Sequence, residues 1–130
     1  MKRAVKAFLP IATVGALLIA GQANAADAEN GEALFRSICA QCHSVEPGSH
    51  RTGPSLHKIW GRPVGAMEGF DYSDAFREAA STGLVWTPEN LDTFVNRPRR
   101  LIKGNKMAYL GLRDDGERAD VLAYLKQMSQ

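Results

Sequence analysis

Two cysteines three positions apart, with a histidine directly after the second, constrain this chain more than any other feature: Cys39-Ala40-Gln41-Cys42-His43. At this spacing each thiol can add to one vinyl group of a haem. His43 then presents its imidazole to the iron from the same side, and Cys-x-x-Cys-His is a signature of covalent c-type haem attachment. A chain attached in this way must fold around its cofactor, which supplies much of the core.

Three other chemistries use cysteines so placed. A thioredoxin-like redox pair usually sits beside a βαβ pattern, which this sequence lacks. A structural zinc ion needs four ligands. The chain has two cysteines in all, and His50 and His57 complete a set only at an unusual spacing. A plain disulfide suits an oxidising compartment but leaves the placing of His43 to chance.

The compartment is itself legible. Residues 1–25 read as a secretory signal: Lys2, Arg3 and Lys6 form a basic start, Ala7 to Ala20 is almost wholly apolar, and Ala23-Asn24-Ala25 supplies a small-x-small cleavage pattern. Export to the periplasm is therefore expected, with the cut before Ala26. An uncleaved membrane anchor is the competing reading. Against it, 14 residues that include Pro10, at roughly 1.5 Å each, fall short of a ~30 Å hydrocarbon core.

Removing residues 1–25 leaves 105 residues, 26–130, read as one domain without repeats or linkers. The three basic residues leave too, so 13 basic face 14 acidic side chains, a net charge of −1. The +2 charge and pI of 8.7 of the whole chain thus carry no sign of nucleic-acid binding. No polybasic tail survives either.

The remaining pattern is all-α. A first helix is expected over Ala28–Ile38, capped by Asp27, with Leu34, Phe35 and Ile38 at helical spacing. Glycines and prolines between Val45 and Gly69 mark loops. A short helix over Ser73–Ala80 ends at Gly83. Thr87-Pro88-Glu89 is a strong helix start, and Pro98 ends that helix near Asn96. The last helix begins at Asp114, with Glu117 three residues on and Val121, Leu122, Tyr124 and Leu125 as its buried stripe.

A haem iron bound by His43 needs a sixth ligand. The candidates beyond the signal are Met67, Met107, Met128, His50 and His57. Met128 falls at a fraying helix end. An isolated methionine is ordinarily core filler, but Met107 follows Gly104-Asn105-Lys106 in a loop between helices, where a tight turn can point a thioether inward.

From residue 26 onward the sequence resembles class I c-type cytochromes, the soluble bacterial cytochromes c of mitochondrial type. Gly31, Phe35 and Tyr124 resemble the residues by which that family's first helix meets its last. Gly53-Pro54-x-Leu56 follows the haem motif as in the family, where the proline carbonyl accepts the ligand histidine's N–H and fixes its ring. Gly61-Arg62, Tyr72 and Trp86 resemble the donors that hold a buried haem propionate, and Pro98 with Gly104-Asn105-Lys106-Met107 resembles the segment that delivers the axial methionine. The resemblance implies a cytochrome c fold, with short helices and loops around one haem c held by Cys39 and Cys42 and ligated by His43 and Met107. Departures are local. Lys103 stands where the family usually has proline, Asn105 where it has threonine, and Phe94 where it commonly has tyrosine. The stretch between Tyr72 and Trp86 is longer by about three residues.

With both axial positions filled by protein, substrate has no open coordination site. The implied function is outer-sphere transfer of single electrons by a monomeric, non-enzymatic carrier. A haem catalyst or gas sensor with a displaceable sixth ligand is the alternative, as is a haem module of a larger redox complex. Arg97, Arg99, Arg100, Lys103 and Lys106 crowd the approach to Met107. On a nearly neutral protein they would steer docking to acidic surfaces. Partners of that kind include a quinol-oxidising complex, terminal oxidase, reaction centre or periplasmic dehydrogenase. Contact with a membrane would come only through them or through an uncleaved signal.

Overall fold

A computed structural model describes residues 25–130. The expected signal, 1–25, therefore lies outside the described residues except for Ala25. Five α-helices follow in order: α1 Ala28–Leu34, α2 Asp74–Ser81, α3 Pro88–Asn96, α4 Pro98–Leu101 and α5 Asp115–Gln127. Among the described residues the only extended pairing is a single bridge between Pro63 and Val85. The all-α expectation holds.

Each long helix starts where a side chain satisfies its free amides. The Asp27 carboxylate accepts from the N–H groups of Glu29 and Asn30, Ser73 from Phe76, Thr87 from Asn90, and Asp114 from Glu117. Two elements differ from expectation. The first helix does not run as one α-helix to Ile38: after Leu34 it widens into a π turn, Phe35–Cys39, closed by the Ala40 N–H on the Phe35 carbonyl at 2.9 Å. That turn buries Phe35 and leaves Ile38 at the surface. The second is α4, which no periodicity announces. Pro98 stops α3 by restricting Arg97, yet its own fixed φ suits the first position of a new helix.

α1 packs across α5. At the crossing, a Cβ on Gly31 would overlap the Asp120 carbonyl, so only glycine allows the backbones so close. The Asp120 carboxylate accepts the Asp27 N–H and the Asn30 side-chain amide, both at 2.7 Å. One turn on, the Phe35 and Tyr124 rings meet at 5.3 Å between centroids. This is the helix contact that the sequence resemblance implied.

The long loop region between Cys39 and α2 is tied back to the segment before α3. Val64 N–H donates to the Leu84 carbonyl at 2.8 Å, and Trp86 N–H to the Arg62 carbonyl at 2.9 Å. This pairing sets Arg62 beside Trp86, two residues far apart in sequence.

A candidate haem site

The π turn delivers Cys39 half-buried and Cys42 exposed, and the thiols are not joined to each other. Burial, with Cys42 nearby, pushes the Cys39 thiol up to about 11. It is thus protonated at neutral pH, unlike the depressed thiolates of redox Cys-x-x-Cys sites. No group of three or more His, Cys, Asp or Glu side chains among the described residues is arranged to hold a metal ion. A zinc site has no ligand set here.

Backbone bonds from Cys42 and His43 to the Cys39 carbonyl close the next turn, at 3.0 and 2.9 Å. The Gly53 N–H donates to the Cys42 carbonyl at 2.8 Å, which brings Pro54 alongside His43. His43 Nδ1 lies 2.8 Å from the Pro54 carbonyl. A carbonyl only accepts, so the proton is on Nδ1 and the lone pair on Nε2. Burial lowers the His43 pKa, with the Pro54 bond opposing, which favours the neutral ring. An oriented neutral imidazole with a free Nε2 is what a metal ligand requires.

A second group forms around Arg62. Its guanidinium donates to the His57 carbonyl at 2.7 Å and to the Ser55 carbonyl at 3.1 Å. Its Nε is buried with no partner, alone in that condition among the described side chains. Tyr72 is buried nearby: burial raises its phenol, whereas the Met67 N–H, donating at 3.3 Å, and the Arg62 charge lower it. Its own O–H is left free to donate. Trp86, also buried, meets Phe94 edge-on at 4.9 Å. A buried cationic donor without an acceptor, next to a free phenol, suits a buried anion such as a haem propionate.

Met107 stands on a third segment, half-buried against the core. Asn105 pins it: the buried side chain donates from Nδ2 to the Ile102 carbonyl at 2.8 Å and accepts the Met107 N–H on Oδ1 at 3.1 Å. Asn105 was legible only as a departure from the family pattern, and its role as a pin was not. Tyr109 ties this segment to α3, its O–H donating to the Val95 carbonyl at 2.9 Å; burial, with Cys39 also contributing, pushes its phenol up to about 12. Of the other candidate ligands, His50 has both nitrogens engaged, Nδ1 by the Ser55 N–H at 3.1 Å and Nε2 on the Glu68 carbonyl at 2.8 Å. Met128 forms the C-cap of α5.

The thiol turn, the oriented imidazole and the donor pocket together define a c-type haem protein with the helices to match. The sequence matches the Cytochrome c family over residues 28–129, and the chain belongs to that family. It is 44% identical to a cytochrome c of Chlamydomonas reinhardtii over 107 residues, 82% of this chain and 93% of that one. It is 40% identical to a cytochrome c of Gibberella zeae over 105 residues (80% and 96%) and 38% identical to a cytochrome c2 of Rhodopila globiformis over 108 residues (83% and 99%). The protein is a single-haem electron carrier rather than an enzyme, and its haem c is attached covalently through Cys39 and Cys42. The catalyst alternative falls away.

Proposed function

We propose that this chain is exported to the periplasm, is cut before Ala26, and carries electrons between redox proteins with acidic docking surfaces, its iron held between His43 and Met107. The observation that carries the ligand assignment is the 2.8 Å contact between His43 Nδ1 and the Pro54 carbonyl, which leaves Nε2 as the donor. When bound, the haem supplies a one-electron ferric–ferrous couple. The protein's part is to hold its surroundings still. Pro54 fixes the imidazole plane, and Asn105 fixes the backbone of Met107. Arg62, Tyr72 and Trp86 would neutralise and hold a propionate. With the haem bound, Met107 would supply a neutral thioether ligand, which favours the reduced state and a comparatively high potential.

Docking is supported by a groove of about 290 Å³ lined by Arg97, Pro98, Arg99, Arg100, Tyr109, Leu110 and Arg113. Four cations surround apolar residues there, and Leu110 is 85% exposed. An acidic rim with an apolar centre is the complementary partner surface. Replacing Arg99, Arg100 and Arg113 with glutamine should slow electron transfer to the physiological partner in dilute buffer and flatten its salt dependence. Screening at ~8 Å already blunts the effect at physiological ionic strength. Rates unchanged in dilute buffer would move the partner to another face. Osmotic shock should release a haem-staining protein beginning at Ala26, and its retention in the membrane fraction would contradict export as a soluble carrier.

A further inference from the structure

We infer that Tyr109 is a positioning residue whose phenol latches the Met107 segment onto α3 and so resists departure of the Met107 sulfur from iron. The inference rests on Met107 being the axial ligand. Tyr109 lies two residues beyond Met107, and its O–H donates to the Val95 carbonyl at 2.9 Å. The Leu112 N–H donates to the same carbonyl at 2.9 Å. Val95 is in the last turn of α3, where carbonyls lack partners within the helix. Both lone pairs of that oxygen are therefore taken by the segment after Met107. Gly111 makes the approach possible, because a Cβ there would overlap the Asn96 carbonyl.

The segment is also held at its two ends. Asn105 ties Ile102 to Met107. Arg118, only 7% exposed, aims Nη1 at the carbonyls of Leu112, Arg113 and Asp114 at 3.3–3.4 Å while its Nε holds Asp92 at 2.6 Å. Between these ends, Tyr109 makes the one side-chain hydrogen bond to α3 among the described residues, since the Arg113 guanidinium donates to the Leu110 carbonyl within the segment itself. Where the sulfur leaves by displacement of its own backbone, that movement swings the chain on which Tyr109 stands. Its O–H bond exists in the closed arrangement and is broken in the open one. Removing the bond therefore raises the open population by the factor the bond is worth, about fivefold for a neutral hydrogen bond. Tyr109→Phe keeps the ring, and the Val95 carbonyl keeps Leu112, so no buried acceptor is orphaned.

The test uses ferric holoprotein titrated with imidazole, following loss of the weak sulfur-to-iron absorption band at the red end of the spectrum. Tyr109→Phe should bind imidazole about fivefold more tightly than the wild type. In the same variant the Leu112 amide should exchange faster, with amides in α1 and α5 unchanged. Unchanged imidazole affinity, or an equal loss of protection in α1 and α5, would overturn the latch. Met107→His serves as the control. If the red band survives that substitution, the ligand assignment fails and the latch fails with it. If the band vanishes there but imidazole binding is indifferent to Tyr109, the latch alone fails.

Discussion

Single side chains in this protein work mostly by holding backbone carbonyls. Arg62 is the clearest case: two of its nitrogens take the carbonyls of Ser55 and His57, and the third, Nε, is buried without a protein partner. Burial pulls its guanidinium below the ordinary value, with Tyr72 pushing back. That cost is sensible only if an anion completes the set. Arg62→Gln should therefore act twice. Leaving carbonyls unpaired costs about 1–3 kcal/mol of stability, to be read from the denaturant midpoint. Loss of a half-buried positive charge at the proposed propionate site should lower the reduction potential, because ferric iron is then less penalised. A variant with weakened stability and an unchanged potential would make Arg62 a loop tie alone.

Among the helices, the α1–α5 crossing depends on an exposed carboxylate as well as on apolar packing. Bonds from Asn30 and from the Asp27 amide hold Asp120 below the ordinary carboxylate value of 3.8. A carboxyl whose folded pKa is depressed contributes stability above its unfolded pKa, and loses it as pH falls through the lower folded one. Asp120→Asn should speed amide exchange at Gly31 several-fold at neutral pH, and the gap from wild type should close as pH drops below about 3.8. A gap that persists in strong acid would place the effect elsewhere. Helix starts were legible in the sequence at Asp27, Thr87 and Asp114 because caps are local, each bonding within three residues, whereas Ser73, expected inside its helix, is its cap. The π turn was not, since one widened turn leaves too short a stretch for its period to show. Nor was α4, because Pro98 reads equally as a stop and as a start.

At the scale of the whole molecule, three segments distant in sequence contribute to one core, with Cys39 and Met107 both packed against the cluster that includes Trp86. The cysteine–histidine turn could be read directly, because its chemistry lies in five consecutive residues. Arg62, Tyr72 and Trp86 could be named only through resemblance, since each alone is an ordinary surface or core residue, whereas Met107 was already marked by its glycine-bearing loop. Tyr109 and Arg118 escaped notice for a physical reason. Their partners are mainly the carbonyls of Val95, Leu112, Arg113 and Asp114, which look alike in any sequence and acquire positions only on folding. What unites the three segments is one expectation, a thioether held opposite His43 by a pinned loop. The measurement that tests it most directly is a redox titration of Met107→His beside the wild type, with the red-end absorption band recorded in each ferric protein. Replacing thioether by imidazole should lower the potential and abolish the band, with the haem still covalently attached through Cys39 and Cys42. A variant that keeps both the band and the wild-type potential would show that Met107 does not ligate the iron.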